Sequence, residues 1–198
     1  MPVHVDIEFP EDNIVSLSPK FLAESQGMVE VRGRGNRIQI EDPFLANTAR
    51  FALVGGATVF VGPQSNLNNL QLHALAAGVT IAIGANASFN GTCQITAHEA
   101  STIRIGTNCL FAHGCQIASS DVHKVLDLET GDRINLASDI EIGDHVWVAP
   151  DVTILRNAVI GRDSIVGMRS VVRHSFPPNV SLAGIPARVI RTGVTWEF

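Results

Sequence analysis

Asp121 and His123 stand two residues apart in Ala118-Ser-Ser-Asp-Val-His-Lys124, a polar stretch in a chain otherwise rich in aliphatic residues. An imidazole with a pKa near ~6.5 can take a proton at neutral pH, and a carboxylate can fix its second nitrogen. The pair therefore reads as a general base with an orienting acid. A second kind of chemistry is written downstream as charge. Residues 1–141 hold 8 Lys+Arg against 15 Asp+Glu, whereas residues 142–198 hold 6 Arg against 4 acids. An arginine-bearing tail suits a phosphorylated ligand.

The elements that must position these groups form an internal repeat. Thr58-Val-Phe-Val-Gly62, Thr80-Ile-Ala-Ile-Gly84 and Thr102-Ile-Arg-Ile-Gly106 begin 22 residues apart. Inside each unit an aliphatic residue or Phe recurs every six residues: Ile83, Phe89, Ile95, then Ile105, Phe111, Ile117. After a break the series resumes at Ile142, Val148, Ile154, Ile160, Val166 and Val172. A period of six is neither that of a helix nor that of a half-buried strand. It predicts a coil with three short strands and three corners per turn. Three hexads make 18 residues, as from Ile142 to Ile160, and the 22-residue units add four.

The expected fold is all-β, a parallel β-helix in which each turn buries the apolar edge of the next. About six turns run from near Ile40 to near Pro178. A single domain is expected, with residues 1–39 as an N-terminal cap, 40–178 as the solenoid and 179–198 as a tail. A short helix is expected near Pro19–Glu24. Between Ile117 and Ile142 the register is lost, which predicts an extruded polar loop at about 118–139. Long loops on rigid scaffolds often carry function. The glycine after each inward aliphatic suits a tight corner with positive φ. Handedness is not set by the repeat; the usual crossover rule favours a right-handed coil.

Cys93, Cys109 and Cys115 fall at inward corner positions, so they are expected as reduced packing groups and not as nucleophiles. Cys93 and Cys115, 22 residues apart, should stack in adjacent turns, as should Phe89 and Phe111. A net charge of −5 excludes a general nucleic-acid binder. Arg32-Gly-Arg-Gly-Asn-Arg37 lacks aromatic partners and reads as a solvated turn. No apolar run reaches the roughly 18 residues of a membrane helix, and the start lacks the pattern of a signal peptide. The expected location is cytoplasmic.

Three stretches carry a resemblance: Ile140-Glu-Ile-Gly-Asp-His-Val-Trp-Val-Ala-Pro-Asp-Val-Thr-Ile-Leu155, Val159-Ile-Gly-Arg-Asp-Ser-Ile-Val-Gly-Met-Arg-Ser-Val-Val172 and Ala183-Gly-Ile-Pro-Ala-Arg-Val-Ile-Arg191. They resemble the C-terminal half of hexapeptide-repeat acyltransferases, among them galactoside, maltose and xenobiotic acetyltransferases. The loop, with Ser-Ser-Asp-Val-His123 and Thr130-Gly-Asp-Arg-Ile-Asn135, is most similar to bacterial polysaccharide O-acetyltransferases, including those acting on polysialic acid. The resemblance covers about residues 60–191.

It implies a left-handed β-helix that forms a homotrimer, with active sites between subunits and acetyl-CoA along the C-terminal turns. It places His123 as general base toward a carbohydrate hydroxyl and Trp147 as a wall near the thioester. Asp121, Asp127 or a backbone carbonyl can orient the imidazole. Met168 matches a corner whose backbone meets the pantetheine arm, where family members more often carry Ala. Arg188 and Arg191, with Arg173, match basic positions facing the phosphates of CoA. No metal and no covalent enzyme intermediate is implied. Three other readings compete: a xenobiotic or small-sugar acetyltransferase, a zinc carbonic anhydrase of the same fold, and a scaffold without activity. The zinc ligand set contains two histidines five residues apart, a spacing absent among the seven here.

Overall fold

Three flat faces follow from the hexads. The structure, a computed structural model, describes residues 2–44 and 46–198. The first face carries eight parallel strands, beginning with Ile14–Leu17, Arg37–Ile40 and Thr58–Val61 and ending with Ile140–Ile142, Val159–Ile160 and Ser175–Phe176. On the second face, Asn66, Ser88, Leu110, Trp147, Ile165 and Ser181 stand in register. On the third, His4, Met28, Arg50, Gln71, Gln94, Gln116, Thr153 and Val171 do so. Strands Asn66–Ala74 and Ser88–Ala97 run unbroken from the second face onto the third, which joins the two into one 13-stranded sheet.

The inward columns are the hexad residues. Ile83, Phe89 and Ile95 are buried from three sides of one coil, and Ile105, Phe111 and Ile117 from the next. Each such side chain contributes roughly 1.5–3 kcal/mol relative to exposure. Phe89 stacks on Phe111 at 4.9 Å, and Cys93 stands in register with Cys115. All three thiols are free and buried. Burial pushes Cys109 and Cys115 up to about 11 and holds Cys93 well above the ordinary thiol range too, so none is a thiolate at neutral pH.

The corners divide their work between two residue types. Asn86, Asn108, His145, Asp163 and Asn179 take positive φ, and Asn and Asp tolerate that conformation best among side-chain-bearing residues. The glycines after the inward aliphatics are needed for a different reason. Gly84 does not have positive φ, but a Cβ on it would lie 2.7 Å from the Gly106 carbonyl carbon of the next coil. Close stacking, not backbone handedness, selects glycine there.

In the coil of Ile83, Phe89 and Ile95 the four extra residues fall between the third and first faces, after Ile95 and before Ile105. The long loop leaves from that same corner, between Ala118 and Ile140.

Residues 1–39, expected as an N-terminal cap, carry the coil backward instead, with the expected short helix at Pro19–Glu24. His4–Ile7 pairs in parallel with Gly27–Arg32, and Ile14–Leu17 with Arg37–Ile40. Helix Pro19–Glu24 takes the place of a strand on the second face in that coil and buries Phe21 against Phe51 at 6.1 Å. Ser18 caps it by accepting from the Phe21 N–H at 3.1 Å.

Candidate active site

The loop is a hairpin on a pinned root. Its arms meet at an antiparallel bridge between Leu126 and Arg133, with the Ile134 N–H donating to the Val125 carbonyl at 2.9 Å. Asp127 closes the tip: its Oδ1 accepts from the N–H groups of Glu129 and Thr130, both at 2.9 Å. Those bonds hold its carboxyl below the usual range. Asp127 is thus committed to the turn and does not orient His123.

Asn135 organises the root. Nearly fully buried, it donates from Nδ2 to the His123 carbonyl at 2.8 Å and to Asp121 Oδ2 at 3.0 Å. Its Oδ1 accepts from the Val125 N–H at 2.7 Å and from Arg133 Nε at 3.2 Å. The His123 N–H donates to the Asp121 carbonyl at 2.6 Å across Val122, whose φ is 63°. This three-residue γ-turn is a costly conformation for a β-branched residue. Strain of this kind collects where a side chain must be aimed. The His123 backbone is therefore held on both sides, while its imidazole stays exposed.

Asp121 does not present its carboxylate to that imidazole. It accepts from Asn135 Nδ2 and pairs with Arg156 Nε, both at 3.0 Å, and these contacts, Asn135 foremost, lower its pKa. In the single chain it braces the loop root against the next coil.

Glu99 braces the root from the preceding coil. It grips Arg133 with both oxygens, at 2.5 and 2.8 Å, and accepts from Ser120. The Arg133 and Ser120 bonds hold its carboxyl down to about 2. A carboxyl depressed in the folded state stabilises above its ordinary value of 4.5, and that contribution is lost as pH falls from there through about 2. Loop amide resonances in two-dimensional NMR are expected to broaden over that window before the hexad core responds. Glu99→Gln should abolish the pH step, and an unchanged step would assign it to another carboxyl.

The other expected residues lie on three separate parts of the prism. Trp147 sits half-exposed on the second face, 6.1 Å from Trp196. Met168 is exposed at the corner between the second and third faces. Arg188 is at that corner one coil on, opposite Ala183, and Arg191 is on the second face opposite Ser181. Arg173 follows Val172 at the third-to-first corner, the same edge as His123 and Arg156. Among the described residues, Arg173, Arg188 and Arg191 have no carboxylate within 4.0 Å. They fit an anionic ligand better than the six ion-paired arginines do.

In a three-faced prism, the third-to-first corner is the edge opposite the second face. One chain therefore sets His123, Asp121 and Arg156 on one edge and Met168 and Arg188 on another, with Trp147 on the face opposite the first. Among the described residues, no group of three or more His, Cys, Asp and Glu side chains stands together to hold a metal ion.

Sequence reasoning missed Glu99, Asn135, Arg156 and Trp196. Glu99 was within reach of counting: Thr96 stacks on Ala118, so the corner after it must lie beside Ser119 and Ser120. Trp196 had no such signal. The C-terminal segment folds back along the corner between the first and second faces, where Trp196 stacks on His145 at 4.5 Å and donates to its carbonyl at 2.8 Å.

The stacked coils, glycine-gated corners and extruded loop define a hexapeptide-repeat β-helix, and comparison with known proteins agrees. Residues 139–174 match the family described as bacterial transferase hexapeptide (six repeats). Over 39 residues the chain is 46% identical to the putative lipopolysaccharide biosynthesis O-acetyl transferase WbbJ of Escherichia coli (strain K12). That match spans about a fifth of either protein. The solved polysialic acid O-acetyltransferase OatWY superposes with a TM-score of 0.71 at 25% identity, covering 99% of this chain and 91% of that one. NeuO, a polySia-specific acetyltransferase, shares the fold at a TM-score of 0.63 and 24% identity, covering 99% of this chain and 72% of that one. Residues 139–174 thus carry the hexapeptide repeat of bacterial transferases, on a left-handed parallel β-helix like that of the solved acetyltransferases. The right-handed crossover rule rests on twisted strands feeding helices. It does not govern short strands on flat faces.

Proposed function

We propose that this protein is an acetyl-CoA-dependent O-acetyltransferase that modifies a hydroxyl of a surface carbohydrate. The observation that carries the reading is the His123 imidazole, exposed and backbone-pinned on a β-helix whose whole length matches a polysaccharide O-acetyltransferase. A sugar hydroxyl is a weak nucleophile. His123 takes its proton as the oxygen bonds to the acyl carbon, and returns it to the sulfur as the carbon–sulfur bond breaks. Backbone N–H groups of the cleft stabilise the oxyanion between these events. The buried, protonated thiols leave direct transfer as the route. Acetyl-CoA as donor places the enzyme, on this reading, in the cytoplasm. No helix among the described residues is long and apolar enough to cross a membrane.

The site is shared between subunits of a homotrimer. His123 and Trp147 lie on opposite sides of one prism, so a complete site needs the loop of one chain against the second face of another. The loop is built for such a contact. Expected to be polar, it exposes Val122, Val125, Leu126, Leu128, Ile134 and Leu136, and Leu128 is fully open. So many apolar side chains on one hairpin mark a contact surface.

Thiol release from acetyl-CoA, followed over a panel of nucleotide sugars, oligosialic acid and simple glycosides, tests the activity. No release with any acceptor would remove the reading. In the same assay, Arg188→Ala with Arg191→Ala is expected to raise KM for acetyl-CoA more than it lowers kcat. These guanidiniums hold phosphates remote from the thioester, where ground and transition states bind alike. An unchanged KM would leave them as solvated charge.

A further inference from the structure

The C-terminal segment creates a groove that the acetyl-transfer machinery does not use. We propose that this groove binds a neutral glycan chain and so extends the acceptor site from Trp147 toward the N-terminal coils. The inference rests on the carbohydrate reading above and adds the location and chemistry of the polymer subsite.

The groove encloses about 700 Å³ between Lys20, Asp42, Phe44, Gln64, Asn66, Asn86, Ser88 and Phe198. That is the size range of small-ligand sites. Its walls are the rings of Phe44 and Phe198, which are 75% and 76% exposed. Its floor is amide and hydroxyl: Asn66 Nδ2 donates to Asn90 Oδ1 at 2.9 Å and to Ser88 Oγ at 3.3 Å. At the corner, Asn86 Nδ2 donates to Asn108 Oδ1 at 2.8 Å. These bonds fix the orientation of the floor before any ligand arrives.

A pyranose ring offers an apolar C–H face and a rim of hydroxyls. The groove offers aromatic faces above and pre-oriented amides below, which is the complement. One lysine and one aspartate at the rim cancel, so nothing selects a polyanion. An apolar ligand would strip water from the amide floor without replacing its hydrogen bonds.

The groove also joins the candidate site. The Phe198 ring lies 4.8 Å from Trp196, which lies 6.1 Å from Trp147. The segment is tied down at each step. The Val194 N–H donates to the Asn179 carbonyl at 3.1 Å, and the Trp196 indole N–H to the His145 carbonyl at 2.8 Å. Trp196 is itself buried beneath the segment, so the open rings are Trp147 at one end and Phe198 and Phe44 at the other. Ser88 and Asn66 of the groove stand two and three coils below Trp147 on the same face, a span that suits a chain of sugars and exceeds a single one.

Titration of the intact protein with maltoheptaose, cellohexaose, laminarihexaose, chitohexaose and α2,8-linked oligosialic acid, read by calorimetry and saturation-transfer NMR, tests the assignment. At least one neutral oligomer is expected to bind, and Phe44→Ala with Phe198→Ala to weaken it about tenfold, the scale of losing central aromatic contacts. Phe198→Trp should retain binding. In the transfer assay the double variant should raise KM for a long acceptor and leave that for its disaccharide, and for acetyl-CoA, unchanged. Absence of binding by every neutral oligomer, binding of oligosialic acid alone, or equal loss for long and short acceptors would each overturn the proposal. A changed sedimentation coefficient in the variants would assign the rings to a subunit contact instead. The titration needs no turnover, so a protein that binds a neutral glycan here without acetylating any would overturn the activity and keep the groove.

Discussion

Replacing His123 by alanine is expected to lower acetyl transfer by ~10²–10⁴, the range for losing a positioned general base. The fold should not notice. The imidazole is exposed, and the contacts that fix this residue belong to its backbone: N–H to the Asp121 carbonyl, carbonyl to Asn135. Alanine keeps both. Melting temperature and affinity for acetyl-CoA should therefore stay at wild-type values, and the loss should appear in kcat. Asp121→Asn should cost less, because its carboxylate braces Arg156 and Asn135 and makes no contact with the imidazole. His145→Ala is the control. It removes an imidazole that stacks under Trp196 and contacts Asp163 at 3.0 Å, away from the loop. Its effect should be mild. If His123→Ala retains more than about half of wild-type kcat with a confirmed acceptor, the acid–base role is wrong.

The parts of the molecule legible in the sequence are those in which one physical requirement repeats. Every coil must bury three side chains, so Ile83, Phe89 and Ile95 state the coil as plainly as Ile142, Val148 and Ile154 do. The stacking of Cys93 on Cys115 and of Phe89 on Phe111 follows from the same count. The N-terminal coils use the same three faces, yet their spacing hides it. The helix at Pro19–Glu24 replaces a strand and breaks the hexad, so residues 1–39 read as a cap.

The candidate site was legible one residue at a time. Residue type and motif pointed to His123. The partners of Asp121 were not visible, because Arg156 lies 35 positions away and meets it only through the stacking of corners across an extruded loop. The Asn135 network has the same origin: a side chain that looks like loop filler becomes buried when both arms of a hairpin converge on it. The C-terminal strap lies furthest from sequence reasoning. Trp196 bonds a carbonyl 51 residues earlier, and no periodicity connects them.

The second large effect concerns the sharing of the site, and it is a gain. On the proposed assignment, His123→Ala and Trp147→Ala should each be nearly inactive, the first for want of the base and the second for want of the wall beside the thioester. Co-expressed, they should regain activity. If each cleft takes its loop from one chain and its second face from the next, a randomly mixed trimer carries both intact residues in about a quarter of its clefts. Activity per trimer should then approach about a quarter of wild type, well above either parent. The expectation follows from the prism itself. The loop root is locked to the third-to-first corner by Glu99–Arg133 on one side and Asp121–Arg156 on the other, so His123 cannot swing round to its own second face. The apolar hairpin beyond it then has a surface to cover on the neighbouring chain. A self-contained site predicts a different result, since mixing two dead variants would give only the mean of two dead enzymes. Sedimentation of the same sample, at about three times 21.2 kDa, separates that outcome from a failure to mix.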